Sequence, residues 1–417
     1  MSNKLEEARR IINDVDAQMA ELFVKRMRAV ETVSKYKQEV GLPILDPARE
    51  EAVIARNAAL VEDEVLRGYY VDYIKHAMAI SRAYQTRLQG GIGDNVIVQR
   101  GILAHAKNYL HLDRRVLVVT DNGVPREYAA TVARQCRESI IYTIEQGEGS
   151  KSLEIFGQVL QTMLDHGFSR KDCVVAVGGG VVGDVAGFAA SAYMRGVDFY
   201  NIPTTLLSQI DSSIGGKTAV NVGGVKNIVG AFYQPHMVLI DPDLLKTLPA
   251  RQMANGLAEA IKMALTSDQE LFALLENESV ADHIDDVIVR SLRIKQGIVA
   301  QDEKEAGLRR VLNFGHTVGH GIESTTDLYH GECVALGMLP LCGAAIRPRV
   351  INVLKKCDLY RKMEYNWDAI AKAAFHDKKA DGDTVTVVTV DEVGSFEMKT
   401  MLSADVIKLA KNCLEGL

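Results

Sequence analysis

Along the first forty residues apolar side chains recur at Leu5, Ala8, Ile12, Val15, Met19, Leu22 and Ala29. Steps of three, four and seven predict one long amphipathic helix. Gly41-Leu42-Pro43 ends it, and Asp46-Pro47 reads as an N-cap followed by proline at the first helical position. A third helix is predicted from about Glu64 to Leu88. Three helices with so long a first member bury little by themselves, so a partner chain is expected. Gln89-Gly90-Gly91-Ile92-Gly93-Asp94 breaks the pattern. Beyond it, short apolar runs at Val116–Thr120, Ile140–Ile144, Cys173–Val177, Phe199–Pro203 and Met237–Ile240 alternate with helical stretches. That alternation predicts a mostly parallel sheet. Past about Leu245 helices return, except at Thr384–Met401, where two strand-like runs flank Asp391-Glu392-Val393-Gly394 and predict a hairpin. The expected fold is therefore multidomain: an all-α three-helix module over 1–89, an α/β Rossmann-like domain over 92–244 and a mostly α-helical domain over 245–417.

The composition, 47% hydrophobic and 24% charged over 417 residues, is that of a globular protein. A net charge of −6 gives no bulk attraction to nucleic acid or anionic membrane, so small-molecule substrates are expected, with anions held by local Lys and Arg clusters. The six cysteines form no CxxC pair and point to a reducing compartment. The charged start (MSNKLEEARR) lacks the apolar core of a signal peptide. Cys173 to Met194 is apolar enough to imitate a membrane span, but its glycines and Asp184 favour a buried strand–turn–helix. A cytoplasmic location is expected.

On the first helix Arg26 and Lys37 are eleven residues apart, within about 20° of one another, whereas Arg9 lies roughly 100° off that face. Asp46, Arg49 and Glu50 open the second helix, and Ser81 and Gln85 share a face of the third. Forked cations with amide donors suit a small dicarboxylate. The set, in this order, resembles the all-helical AroQ class of chorismate mutases, which are intertwined homodimers. The resemblance implies that Arg26 with Arg49 or Arg9 clamps two carboxylates and that Lys37 and Gln85 hydrogen-bond the ether oxygen of the breaking C–O bond. Glu50 and Asp46 would hold the ring hydroxyl region, Ser81 would support a carboxylate, and Arg9 would reach the neighbouring subunit's site. A unimolecular rearrangement needs no acid–base pair, only a folded conformer and stabilisation of charge on the ether oxygen.

In the second module Val174–Val177 leads into GGGVVGDVAGF, including Gly179, Gly180 and Asp184, at a strand-to-helix turn suited to a dinucleotide pyrophosphate. Asp121, Glu148 and Lys151 follow earlier strands and are expected at the same sheet edge. Then come YMRG, PTTLLSQIDSSIGGKTAVN and KNIVGAFYQP. Glu259 and Lys262 are at i, i+3; His316 and His320 are at i, i+4; His330 follows in HGE. Spacing alone would pair His316 with His320 as metal ligands. From about residue 92 to the end the sequence closely resembles 3-dehydroquinate synthases. That resemblance implies NAD as cofactor, with Thr204, Thr205, Asp211, Lys226 and Asn227 joining the residues above. It also implies a divalent metal, zinc or cobalt, on Glu259, His316 and His330. Lys217, Lys262, Lys295, Arg195, Arg309, Asn313, His320 and Lys379 would surround a phosphorylated sugar acid, with Glu303 in support.

A polyol dehydrogenase would share the NAD and metal architecture but would not need cations such as Arg309 and Lys379. A cyclase making another cyclitol would be expected to depart at Asn313 and His320. A third reading makes the first module a chorismate- or prephenate-sensing or dimerising unit. Intact Lys37, Glu50 and Gln85 favour turnover over sensing.

Overall fold

The computed structural model describes residues 2–40, 42–93, 95–375 and 383–416. The chain divides into two compact units, Met1–Ile97 with His105–Asp113, and Val98–Ala104 with Arg114–Leu417.

The first unit holds helices Ser2–Val40, Pro47–Ala58 and Glu64–Leu88. Asp46 caps the second by accepting the Arg49 N–H at 3.0 Å. Asp63 caps the third by accepting from Val65 and Leu66. Such caps satisfy backbone donors that have no partner inside the helix. The third helix buries Met78, Ser81, Gln85 and Thr86. The apolar stripe of the first helix stays open: Leu5, Ile12, Val15, Met19 and Leu22 are exposed, Leu22 at 64%.

In the second unit the predicted strands form at Arg115–Asp121, Glu138–Ile144, Cys173–Gly178, Asp198–Pro203 and Met237–Ile240. They pair in parallel, in the spatial order Met237, Asp198, Cys173, Arg115, Glu138 by first residue. The chain runs outward from Arg115–Asp121 to one edge, then returns to lay Cys173–Gly178 on the other side. The order therefore reverses between these two strands, and their carboxyl ends open a crevice of the kind in which α/β sheets hold ligands. Cys173–Gly178 is buried throughout, as its uninterrupted apolar run requires. Cys173–Met194 folds as this strand and the helix Gly180–Ala192, and no described helix is long and apolar enough to cross a membrane.

The sequence pattern did not predict the antiparallel hairpin of Lys217–Val222 and Val225–Phe232. Its turn is Gly223-Gly224, both with positive φ, a strong local hairpin signal. The second strand is exposed along nearly its whole length, so it lacks the alternation that marks a half-buried strand. The expected C-terminal hairpin does form, from Thr384–Thr389 and Glu397–Leu402.

The helix Ala250–Ser267 is the spine of the helical region, buried continuously from Ala254 to Thr266. The helix His330–Met338 lies against it so closely that a Cβ on Gly331 would come within 2.3 Å of the Asn255 carbonyl oxygen. Likewise a Cβ on Gly337 would stand 2.1 Å from the carbonyl oxygen of Gly315, which precedes the helix His316–Glu323. Glycine at these positions lets three helices meet backbone to backbone.

Candidate active sites

In the first unit Arg26 crosses to the third helix. One guanidinium nitrogen donates to the Ala77 carbonyl at 3.1 Å and also contacts Ser81 Oγ. Lys37 donates to the Ile44 carbonyl at 2.6 Å. Half-burial lowers the Lys37 pKa, against the pull of Asp46 and Glu50. Gln85 is buried with no hydrogen-bond partner for Oε1. Glu50 is paired with Arg82, a residue that sequence reasoning missed. Arg26, Lys37, Glu50, Ser81 and Gln85 thus gather along the facing sides of the first and third helices and the start of the second. Arg49 is exposed nearby. Arg9 is exposed about 25 Å further along the first helix than Arg26, far beyond an arginine's reach.

The second unit has a cleft of about 570 Å³ whose lining includes Asp184, Asp211, Lys217, Lys262, Lys295, Arg309 and the three histidines. The sheet crevice described above has Asp121, Gly179 and Gly180 at its strand ends. Asp121 Oδ1 accepts the N–H of Gly123 and Val124, and burial raises its pKa. A Cβ on Gly179 would lie 3.1 Å from Thr205 Cγ2, and one on Gly180 would lie 3.0 Å from Ser212 Oγ. The glycines thus keep a cradle open in front of the unpaired N–H groups of the helix Gly180–Ala192. Lys151 and Asp184 form a buried ion pair at 2.5 Å, and burial pushes the Asp184 carboxyl up to about 6 despite that partner. Glu148 accepts from Asn221, whose Oδ1 in turn holds the Asn227 N–H at 2.8 Å. Thr204 N–H donates to the Gly178 carbonyl.

In the helical region the close helix packing brings Glu259, His316 and His330 together, with one ligand atom from each within 4.8 Å of the others. Both imidazole Nε2 atoms stand 3.6 Å from Glu259 Oε1. The histidine expected from spacing alone, His320, is a neighbour of His316, with ring centroids 5.2 Å apart; it is exposed, lines the cleft and groups with Glu323 and His330 rather than with Glu259. Burial opposes charge on Glu259, yet Lys262 and the imidazoles hold its carboxyl well below the usual range. Burial, with Lys262 nearby, pushes the His316 pKa well below its usual range. For His330 burial acts downward, but Glu259 and Glu323 outweigh it and lift the imidazole to about 9.

Two acids behind these ligands were not singled out from sequence. Glu323 accepts from His330 Nδ1 at 3.0 Å and pairs with Lys226 at 2.6 Å. Glu332 is fully buried, held by Arg251 and Arg361, and accepts the Tyr329 N–H, fixing the start of the helix at His330. Single acids in a sequence carry no mark of the partners a fold will bring them.

Lys295 is buried and donates to the Asp211 carbonyl at 2.6 Å while pairing with its carboxylate at 2.7 Å. Arg309 is 3% exposed, and its guanidinium would lie 2.4 Å from a Cβ on Gly215, whose φ of 95° also demands glycine. Glu303 accepts from Gln234 at 2.9 Å, and its carbonyl accepts from Arg309. Arg195 is exposed, with φ 70°, and is not among the residues lining this cleft, contrary to expectation. Lys379 and its neighbours Asp377 and Lys378 lie outside the described residues.

Residues 141–255 match the family described as 3-dehydroquinate synthase N-terminal, and residues 256–380 match 3-dehydroquinate synthase C-terminal. A 3-dehydroquinate synthase of Streptococcus sanguinis is 41% identical over 326 residues, which span 72% of this chain and 92% of the relative. The chain belongs to the 3-dehydroquinate synthase family. Residues 8–86 match chorismate mutase type II, so a dehydroquinate synthase is fused here to a mutase domain. Among solved structures, the 2-epi-5-epi-valiolone synthase of Streptomyces hygroscopicus, with NAD+ and Zn2+, is 30% identical with a TM-score of 0.71. It covers 77% of this chain and 96% of its own. A 2-deoxy-scyllo-inosose synthase complexed with carbaglucose-6-phosphate, NAD+ and Co2+ is 25% identical with a TM-score of 0.70, covering 76% and 96%.

Proposed function

We propose that the chain catalyses two reactions of aromatic biosynthesis. Residues 92–417 convert 3-deoxy-D-arabino-heptulosonate 7-phosphate to 3-dehydroquinate and phosphate. Residues 1–89 rearrange chorismate to prephenate. The observation that carries the first reaction is the meeting, in one cleft, of a carboxylate–dihistidine cluster with the buried cations Lys262, Lys295 and Arg309. In the assignment we favour, 92–244 bind NAD and 245–417 supply the metal ligands and most of the substrate cations.

The residues fit both cofactors. Both carboxylate oxygens of Glu259 are buried without a hydrogen-bond partner, although one forms an ion pair with Lys262. Burial and the neighbouring Lys262 push the His316 pKa well below its usual range, which favours the imidazole form with a lone pair to give. Two imidazoles and a carboxylate suit zinc or cobalt with a position left for substrate. When bound, NAD and the metal supply reversible oxidation of a carbinol and Lewis acidity. The chain's own groups do the rest. Gly179 and Gly180 admit the pyrophosphate, while Asp121, Glu148, Lys151, Asp184, Thr204, Thr205, Lys226 and Asn227 frame the dinucleotide. Asp211 anchors Lys295, which with Lys262 and Arg309 holds the sugar acid. Lys217, Asn313 and His320 face the phosphate, and Lys379 completes the set.

Glu323 orients the His330 ring through Nδ1, the usual arrangement behind a metal-bound histidine. Glu323→Gln is expected to weaken zinc affinity about 10- to 100-fold. Metal competition with a chelator reads this directly, and excess zinc restores turnover. Unchanged affinity would remove Glu323 from this role.

In the first module Arg26 and Lys37, with Gln85, Ser81, Glu50, Asp46 and Arg49, hold chorismate in its folded conformer. The distance of Arg9 and the open Leu5–Leu22 stripe together support a homodimer in which Arg9 serves the partner's site. Ile12→Glu is expected to give monomers by light scattering, with mutase turnover lost and dehydroquinate synthesis retained. A dimeric, fully active variant would refute this interface.

The direct test of both activities uses purified full-length protein with NAD and zinc. Phosphate release from the heptulosonate phosphate and loss of chorismate absorbance are followed separately. If chorismate alters dehydroquinate synthesis without being consumed, the first module is a sensor.

A further inference from the structure

Most cations of the cleft are neutralised by a carboxylate: Lys262 by Glu259, Lys295 by Asp211 and Lys217 by Glu305. The third pair differs from the other two. The side chains of Lys262 and Lys295 are 2% and 7% exposed, whereas that of Lys217 is 53% exposed and that of Glu305 is 24%. Screening by water makes an ion pair of this kind the cheapest to break. The other oxygen of Glu305 accepts from Asn313 Nδ2 at 2.7 Å. Glu305 therefore occupies two donors at once, and it lines the cleft.

Its backbone is unusual as well. Glu305 sits at φ 62°, a left-handed conformation that a glutamate rarely adopts. The turn is fastened from below by Asp302, whose carboxylate accepts the N–H groups of Ala306, Gly307 and Arg309 at 2.8, 2.7 and 3.0 Å. A strained residue held by its neighbours and aimed into a ligand cleft invites a functional explanation. A solvated surface glutamate would have no need of it.

We propose that Glu305 is a displaceable internal anion. It fills the Lys217–Asn313 donor pair until the phosphate of the substrate takes its place, and so selects for dianionic ligands. The proposal rests on the sugar-phosphate reading above. An incoming carboxylate exchanges one negative charge for another and gains little. A phosphate dianion brings a second charge and a third acceptor oxygen to the Lys217–Asn313 pair, and displaces Glu305 by a side-chain rotation. The unphosphorylated sugar acid is thereby disfavoured. Once phosphate has left the substrate, the returning carboxylate competes it out of the cleft.

The test is calorimetric titration of inorganic phosphate into the full-length protein loaded with NAD and zinc, at pH 8, where phosphate is mainly dianionic. Wild type is compared with Glu305→Gln and Glu305→Ala. Removing the competing charge should tighten phosphate binding about tenfold in both variants. The preference for phosphate over acetate should narrow. In steady state KM for the sugar phosphate should fall and kcat should not rise, because product release slows. NAD affinity and chorismate turnover serve as controls for folding. Unchanged or weaker phosphate binding in variants that pass these controls overturns the proposal. The titration needs no turnover, so it reads Glu305 even if the wild-type protein makes no dehydroquinate, the result that would sink the assigned reaction instead.

Discussion

Glu259→Gln is expected to lower dehydroquinate synthesis on the order of 10³-fold while leaving chorismate consumption at the wild-type rate. The carboxylate is the anionic member of its ligand set and is 1% exposed, between His316 and His330. A metal acting as Lewis acid contributes several kcal/mol to the transition state, and about 4 kcal/mol corresponds to about 10³ in rate. The amide also removes the partner of Lys262, itself 2% exposed. An ammonium left unpaired at such a depth costs about 3–5 kcal/mol, so the melting temperature should fall too. Metal analysis separates the two effects: the folded fraction should carry little zinc. A variant that keeps its zinc and its turnover would exclude Glu259 as a ligand.

Arg26→Ala is the counterpart in the first unit. Chorismate turnover should drop about 10³-fold, with dehydroquinate synthesis intact. Each hydrogen bond to a charged group contributes about 1.5–3 kcal/mol, and a guanidinium fork makes two to a carboxylate. The same side chain ties the first helix to the third through Ala77 and Ser81, so some helical stability is lost with it. Arg26→Lys distinguishes the roles. Lysine can keep one tether to the third helix but not the fork, so stability should recover further than turnover. Full turnover in the alanine variant would show that chorismate is not bound here.

The elements legible in the sequence were those whose signal is local. Gly41 and Asp46-Pro47 marked the ends of helices, and unbroken apolar runs such as Cys173–Val177 marked buried strands. The hairpin at Lys217–Phe232 escaped because its outer strand has no buried face to impose a period of two. In the sites, residues were legible when a motif carried them. What spacing could not supply was the grouping of ligands. His316 and His320 are neighbours on one helix, but Glu259 and His330 belong to other helices, and their meeting depends on how closely those helices pack. Arg195 shows the converse, since it stands in the YMRG motif and is exposed, outside the lining of the cleft. Glu305 and Glu323 matter through charges that reach them only in the folded chain.

Gly331 and Gly337, at 2.3 and 2.1 Å from facing carbonyl oxygens for any added Cβ, mean that main chain meets main chain behind His316 and His330. The gauge that sets the spacing of the helices carrying His316 and His330 is then made of peptide planes, and it cannot be widened by a side chain swinging aside between them. Zinc and cobalt, content with few ligands at about 2.0–2.2 Å, fit such a gauge, whereas calcium, which gathers six to eight oxygens at about 2.3–2.6 Å, does not. A methyl group at either glycine would act as a shim in the mechanism of selection, changing which ion is accepted before it changed how the ion works.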